Sequence, residues 1–88
     1  MLTNMGRTLT GADIVDALEA EIHRQYKDRG GLKGFTESFG VDYYTYRRYI
    51  KHERKMSADL LMDSLTALGV DPVVFFMQLR ARIEAEGQ

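Results

Sequence analysis

The side chains best equipped for chemistry in this chain of 88 residues are crowded into fifteen positions. Residues 41–55, VDYYTYRRYIKHERK, hold four of the five tyrosines and five of the twelve Lys and Arg residues. A tyrosine can attack a phosphate ester, pack in a core, or stack on and donate to a nucleic acid. An arginine binds phosphate or the edge of guanine through a planar fork. Attack on phosphorus needs more than the nucleophile. It needs a cluster of Arg and His, or a metal held by several His, around the phosphate. The chain has two histidines, His23 and His52, and neither an HxH nor an HExxH spacing. Glu19 and Glu21 fall about 200° apart around a helix, as do Glu84 and Glu86, so neither pair converges on a substrate. GGLKG follows no strand and reads as a turn between helices. These residues predict no catalytic group, no metal ligand set and no cofactor, which leaves binding as the expected role of the cluster.

The charge pattern narrows the partner. Net charge is −1, yet residues 24–55 carry nine basic side chains against four acidic ones, a balance of +5 that leaves −6 for the rest. A basic middle between acidic ends is suited to an anionic partner, although a solvated face with chance clustering would produce the same counts. Cysteine is absent, which excludes disulfides, thiolate chemistry and cysteine-bound zinc and fits a reducing cytoplasm. No apolar run approaches the roughly 18 residues of a membrane span, and the first residues lack the apolar stretch of a secretory signal. The expectation is a cytoplasmic protein with no membrane partner and no small-molecule substrate.

Five helices must position these side chains. The length allows one small domain with one core. A single proline, strong helix formers and apolar spacings of three and four predict an all-α chain. Residues 1–9 lack periodicity and read as a flexible arm. Thr10 is placed to cap a first helix, with Ile14, Leu18, Ile22 and Tyr26 as one stripe beside Val15, and RGG at 29–31 ends it. Leu32, Phe35 and Phe39 give a short second helix that stops at Gly40. Asp42 caps a third over residues 43–52. Ser57 caps a fourth whose buried face is Leu61, Leu65 and Leu68. Asp71 and Pro72 start a fifth over residues 72–85. Connections this short favour a compact orthogonal cluster over a coiled coil.

Residues 32–51, LKGFTESFGVDYYTYRRYIK, resemble the helix-turn-helix of the lambda repressor/Cro type, the XRE family. The unit has apolar residues at its fourth, eighth, tenth, fifteenth and eighteenth positions, here Phe35, Phe39, Val41, Tyr46 and Tyr49, with the turn glycine at Gly40. LTALGVD, residues 65–71, is similar to the ending of the family's fourth helix. The resemblance extends over residues 14–76. It departs from the family at Thr36, where the touching helices usually carry Ala. It departs at Leu32 and Lys33, where a phosphate-contacting Gln is usual, and at residues 50–52, where Ile, Lys and His replace Glu-x-Gly. Gly34 costs the second helix roughly 1 kcal/mol relative to Ala. The resemblance implies a compact five-helix lambda-repressor-like domain and a phage or bacterial transcriptional regulator, repressor/Cro-like. Such a protein binds a palindromic operator in double-stranded DNA as a homodimer, with its third helix in the major groove.

A helical wheel sorts the tyrosines. With Tyr43 at zero, Arg47 falls at about 40°, Lys51 at about 80°, Tyr44 at about 100° and Arg48 at about 140°. Tyr46, Tyr49 and Ile50 occupy roughly 240° to 340° and are core candidates. The expected DNA face is therefore Tyr43, Tyr44, Arg47, Arg48 and Lys51. Of these, Lys51 lies near the exit of the helix with Arg54 and Lys55, and the three are better placed for the phosphate backbone, where they add affinity without reading bases. Lys33 is also expected among the DNA contacts. Ile50 lies only about 20° from Tyr43, so a core reaching that far would make Tyr44 the better contact. In the fifth helix, Val73, Phe76 and Ile83 form one apolar group, and Val74, Phe75, Met77 and Gln78 are expected at a dimer interface. The alternatives are a helix consumed by its own core, or a protein-interaction module, antitoxin-like, docking through that helix.

Overall fold

The computed structural model describes residues 8–86 of the chain, and its elements are all helical: α1 Gly11–Tyr26, α2 Gly31–Phe39, α3 Tyr43–Ile50, α4 Ala58–Ala67 and α5 Pro72–Glu86. Most of the arm expected at 1–9, residues 1–7, lies outside the described residues. Leu9 does not behave as arm: it is half-buried and packs against the core.

Four of the five helices start where a side chain caps the first turn, while α2 follows Gly30 with no side-chain cap. Thr10 Oγ1 accepts from the Asp13 N–H at 3.2 Å, and the Asp13 carboxylate accepts from the Thr10 N–H at 2.9 Å, a reciprocal capping box. Asp42 caps α3 and Ser57 caps α4 through the N–H groups of Thr45 and Leu60. At α5 the Asp71 carboxylate accepts from the Val73 N–H at 2.8 Å, with Pro72 at the first helical position. The chain bends by 103° between α4 and α5. Among the described residues no single helix is long and apolar enough to cross a membrane.

One cluster forms the core. From α1 it takes Ala17, Leu18, Ile22 and Tyr26, and from α2 Phe35. α3 adds Tyr46 and Ile50, α4 adds Leu65 with Leu68 just after it, and α5 adds Phe75, Leu79 and Ile83. The Phe35 ring is central: edge-on to Tyr26 at 5.6 Å and to Tyr46 at 5.7 Å, and stacked on Phe39 at 5.2 Å. Such pairs contribute roughly 0.5–1.5 kcal/mol each beyond the area they bury. Two polar side chains are fully enclosed with it, and both are satisfied. Thr36 Oγ1 donates to the Lys33 carbonyl at 2.9 Å, and Ser64 Oγ donates to the Leu60 carbonyl at 2.7 Å.

Several expectations need correcting. α3 ends at Ile50, two residues before His52. Tyr49 is half-buried and outside the core cluster. On α4 Leu61 is only half-buried, and Ser64 turns inward instead. On α5 the inward stripe is Phe75, Leu79 and Ile83, at i, i+4 and i+8, while Val73 is left exposed. Phe75 is thus withdrawn from the expected dimer interface, since its ring is 8% exposed and packs in its own core. Gly34 is not merely a weak helix former. A Cβ there would lie 1.8 Å from the Arg29 carbonyl oxygen, so the turn between α1 and α2 closes only over a glycine.

Candidate nucleic-acid interface

The geometry of α3 is set at both ends before any of its side chains matters. At its start, the chain leaves α2 through Gly40, whose φ of 84° lies in the left-handed region. The N–H groups of Gly40 and Val41 both donate to the Thr36 carbonyl, at 2.9 and 3.1 Å. This closes α2 and turns the chain within three residues. Asp42 then begins α3. Its carboxylate accepts from the Thr45 N–H at 2.9 Å and from the Thr45 hydroxyl at 3.0 Å. These bonds, the backbone one foremost, hold the Asp42 carboxyl below the usual carboxylate range, with the Arg48 charge adding in the same direction.

At its end, α3 stops in a Schellman arrangement. The His52 N–H donates to the Tyr49 carbonyl at 3.1 Å and the Glu53 N–H to the Arg48 carbonyl at 2.8 Å. The left-handed position belongs to His52, with φ of 63°, the one positive-φ residue other than glycine among those described. His52 Nε2 lies 2.8 Å from Asp16 Oδ1, so the residue that carries this backbone also ties the end of α3 to α1. The sequence contained a signal for this role. His52 stands where the resembled family places its glycine.

Between these ends, α3 divides into two faces. Tyr46 and Ile50 are each 1% exposed. The Tyr46 hydroxyl donates to Ser64 Oγ at 2.7 Å, and burial pushes its pKa up to about 12. The opposite face carries Tyr44, which is 71% exposed, and the exposed Arg47, Arg48 and Lys51. Tyr43 is half-buried, its ring edge-on to Tyr44 at 5.1 Å. Because Ile50 is buried, the core does reach toward Tyr43, leaving Tyr44 the more accessible of the pair.

The outlying expected residues are all exposed. Lys33 stands in the first turn of α2, the helix before the turn. Arg54 and Lys55 lie in the segment between α3 and α4. The Arg54 guanidinium is 6.0 Å from the centre of the Tyr49 ring. None of Lys33, Arg47, Arg48, Lys51 and Lys55 forms a salt bridge among the described residues. By contrast Arg24 is engaged by Glu21, whose carboxyl is held below its usual range chiefly by that contact. The basic residues of the α3 region are therefore exposed to solvent without a salt bridge, although the Arg48 charge still acts on Asp42.

The other candidate groups do not assemble into a reacting centre. His23 pairs with Glu19 at 3.6 Å along α1, and Glu84 accepts from Arg80 at 3.2 Å along α5. No three His, Asp or Glu side chains among the described residues stand close enough to share a metal ion. On α5, Val74 is 47% and Met77 66% exposed, Gln78 is also exposed, and Val73 joins them at 65%. No protein-family model, curated protein or solved structure matches the chain.

Proposed function

We propose that this protein is a sequence-specific double-stranded DNA-binding regulator of the repressor/Cro kind that inserts α3 into the major groove. The observation that carries the reading is the two-faced build of α3. One face is locked into the core by Tyr46 and Ile50, and the other offers Tyr44, Arg47, Arg48 and Lys51 to solvent. A helix held this firmly from behind can present a fork of guanidinium donors to guanine O6 and N7 at fixed depth. Tyr44 can pack on a thymine methyl or donate to a phosphate. Lys33, Lys51, Arg54 and Lys55 supply backbone contacts, which position the protein and add salt-dependent affinity. Arg47 and Arg48 are the residues proposed to discriminate bases.

The exposed Val73, Val74 and Met77 on α5 support pairing with a second copy, with Gln78 at the edge of the same surface. A symmetric dimer would place two α3 helices on half-sites about one helical turn apart, roughly 34 Å. The same apolar surface favours a second reading, a protein-interaction module in which α5 docks on a different chain. Selection from random duplexes followed by footprinting separates the two. Enrichment of a palindromic site protected by the protein supports DNA reading, and failure to enrich any sequence points to the interaction module.

A further inference from the structure

A second surface of the molecule has the make-up of a small-molecule site. Where the start of α1 meets the segment after α3, a cleft of about 470 Å³ opens. That volume lies within the range of sites for small organic ligands. Its apolar part is Val15, Tyr49 and Met56, all half-buried. Its polar part is His52, Arg54 and Lys55, and no carboxylate among the described residues lines it. Asp16 holds His52 Nε2 but is itself outside the lining.

The half-burial of Tyr49 bears directly on the cleft. A ring in the core would be enclosed, as Tyr46 is. Tyr49 instead lends its ring to the cleft wall, with the Arg54 guanidinium 6.0 Å from its centre. A ring beside a cation offers an apolar platform and a positive charge within one short reach. Met56 adds an adaptable thioether. His52 is fixed both by its backbone and by Asp16, so this wall is already formed. Lys55 brings a second full positive charge with no salt bridge among the described residues.

We infer that this cleft binds a small planar anion, an aromatic or heteroaromatic ring bearing one carboxylate, sulfonate or phosphate group, with the ring against Tyr49 and Met56 and the anion between Arg54 and Lys55. Burying the ring supplies the apolar contribution, and the two cations select for charge. Arg54 and Lys55 also belong to the proposed phosphate-contacting set, so occupancy would compete with DNA. That consequence rests on the DNA-binding reading, whereas occupancy of the cleft does not.

The test is a titration of the full chain of residues 1–88, without DNA, with 1-naphthoate and with its neutral analogue 1-naphthamide, followed by amide chemical shifts. The expected result is saturable shifts confined to the neighbourhood of Val15, Tyr49, His52 and Met56. Naphthamide should bind at least about tenfold more weakly. The double substitution Arg54→Ala/Lys55→Ala, at two exposed positions, should weaken naphthoate by at least about tenfold while leaving the melting transition in place. Absence of saturable shifts at these residues, equal binding of the two probes, or full affinity in the double variant would each overturn the assignment. Because no duplex is present, none of these outcomes depends on whether α3 reads DNA.

Discussion

Tyr46 and Gly34 are the residues on which the fold depends most visibly. Tyr46 is fully enclosed in the core, and its hydroxyl donates a hydrogen bond to Ser64 Oγ, which in turn donates to the Leu60 carbonyl. Truncation to Ala should destabilise the protein by about 3–5 kcal/mol in a denaturant titration. Tyr46→Phe keeps the ring and loses one hydrogen bond, so the cost should fall to about 1 kcal/mol. The same burial gives a pH signature. A phenol with its pKa pushed up to about 12 is favoured neutral in the folded state, while an unfolded tyrosine ionises near 10. Its contribution is fully present below about pH 10 and is lost as pH rises from there toward 12. Tyr46→Phe should flatten that alkaline loss. Gly34 makes the opposite case to its propensity. On an open helix Gly34→Ala would stabilise by roughly 1 kcal/mol, but here the new Cβ meets the Arg29 carbonyl oxygen. A thermal melt should show destabilisation of about 1–3 kcal/mol. Spacing alone assigned Tyr46 correctly because it lies near the centre of the buried arc. It misassigned Tyr49, which lies about 80° from the midpoint of Tyr46 and Ile50, twice as far as Tyr43. The demand at Gly34 was illegible in the chain, since it arises from a carbonyl five residues earlier folding back over the helix.

Among the elements, α3 carries the proposed function, and its ends determine how firmly it is held. Asp42 caps it as a carboxylate held below the usual range by the Thr45 bonds. A carboxyl lowered in the folded state stabilises above the ordinary aspartate pKa, and that contribution is lost as pH falls through the folded value. The protection factor of the Thr45 amide should therefore fall as pH drops below the ordinary aspartate range, and Asp42→Asn, which caps without titrating, should remove that fall. At the other end, His52 adopts the left-handed backbone that glycine adopts at no cost. His52→Gly relieves roughly 1–2 kcal/mol of backbone strain. It also gives up the exposed contact with Asp16, of about 0.2–1 kcal/mol, and some chain entropy. The net should be a gain of at most about 1 kcal/mol in a denaturant titration. Four helix starts were legible in the sequence because each is written in one or two local residues, Thr10, Asp42, Ser57 and Asp71, whereas α2 begins without a side-chain cap. The end of α3 left a signal only in the resemblance, which has a glycine at this place. The residues themselves put the end two positions late, because the place is filled by a histidine whose other partner, Asp16, lies on α1. The inward face of α5 was obscured for a related reason. Its apolar residues surround much of the helix, and only packing against the neighbouring helices selects Phe75, Leu79 and Ile83 over Val73 and Phe76.

At the scale of the whole molecule, charge is divided unevenly along the chain. The basic balance of +5 in residues 24–55 includes α2, α3 and the segment after it, while the remaining residues carry −6. The exposed Val73, Val74 and Met77 stand on α5, in the acidic part of the chain. In the proposed reading the basic half meets DNA and α5 meets a second copy. Val74→Glu/Met77→Glu should then shift the protein from dimer to monomer in sedimentation equilibrium and leave the melting transition of the monomer largely unchanged. The most direct test of the DNA-binding proposal is fluorescence anisotropy of the duplex recovered by selection, with wild type, Arg47→Ala/Arg48→Ala and Lys51→Ala at several salt concentrations. Groove reading by α3 predicts that the arginine double variant loses about 1–3 kcal/mol of discrimination per lost base contact. It predicts that Lys51→Ala weakens every sequence alike and lowers the salt slope by about one. If the double variant binds the selected duplex and its mismatched relatives as the wild type does, α3 is not the element that reads the DNA.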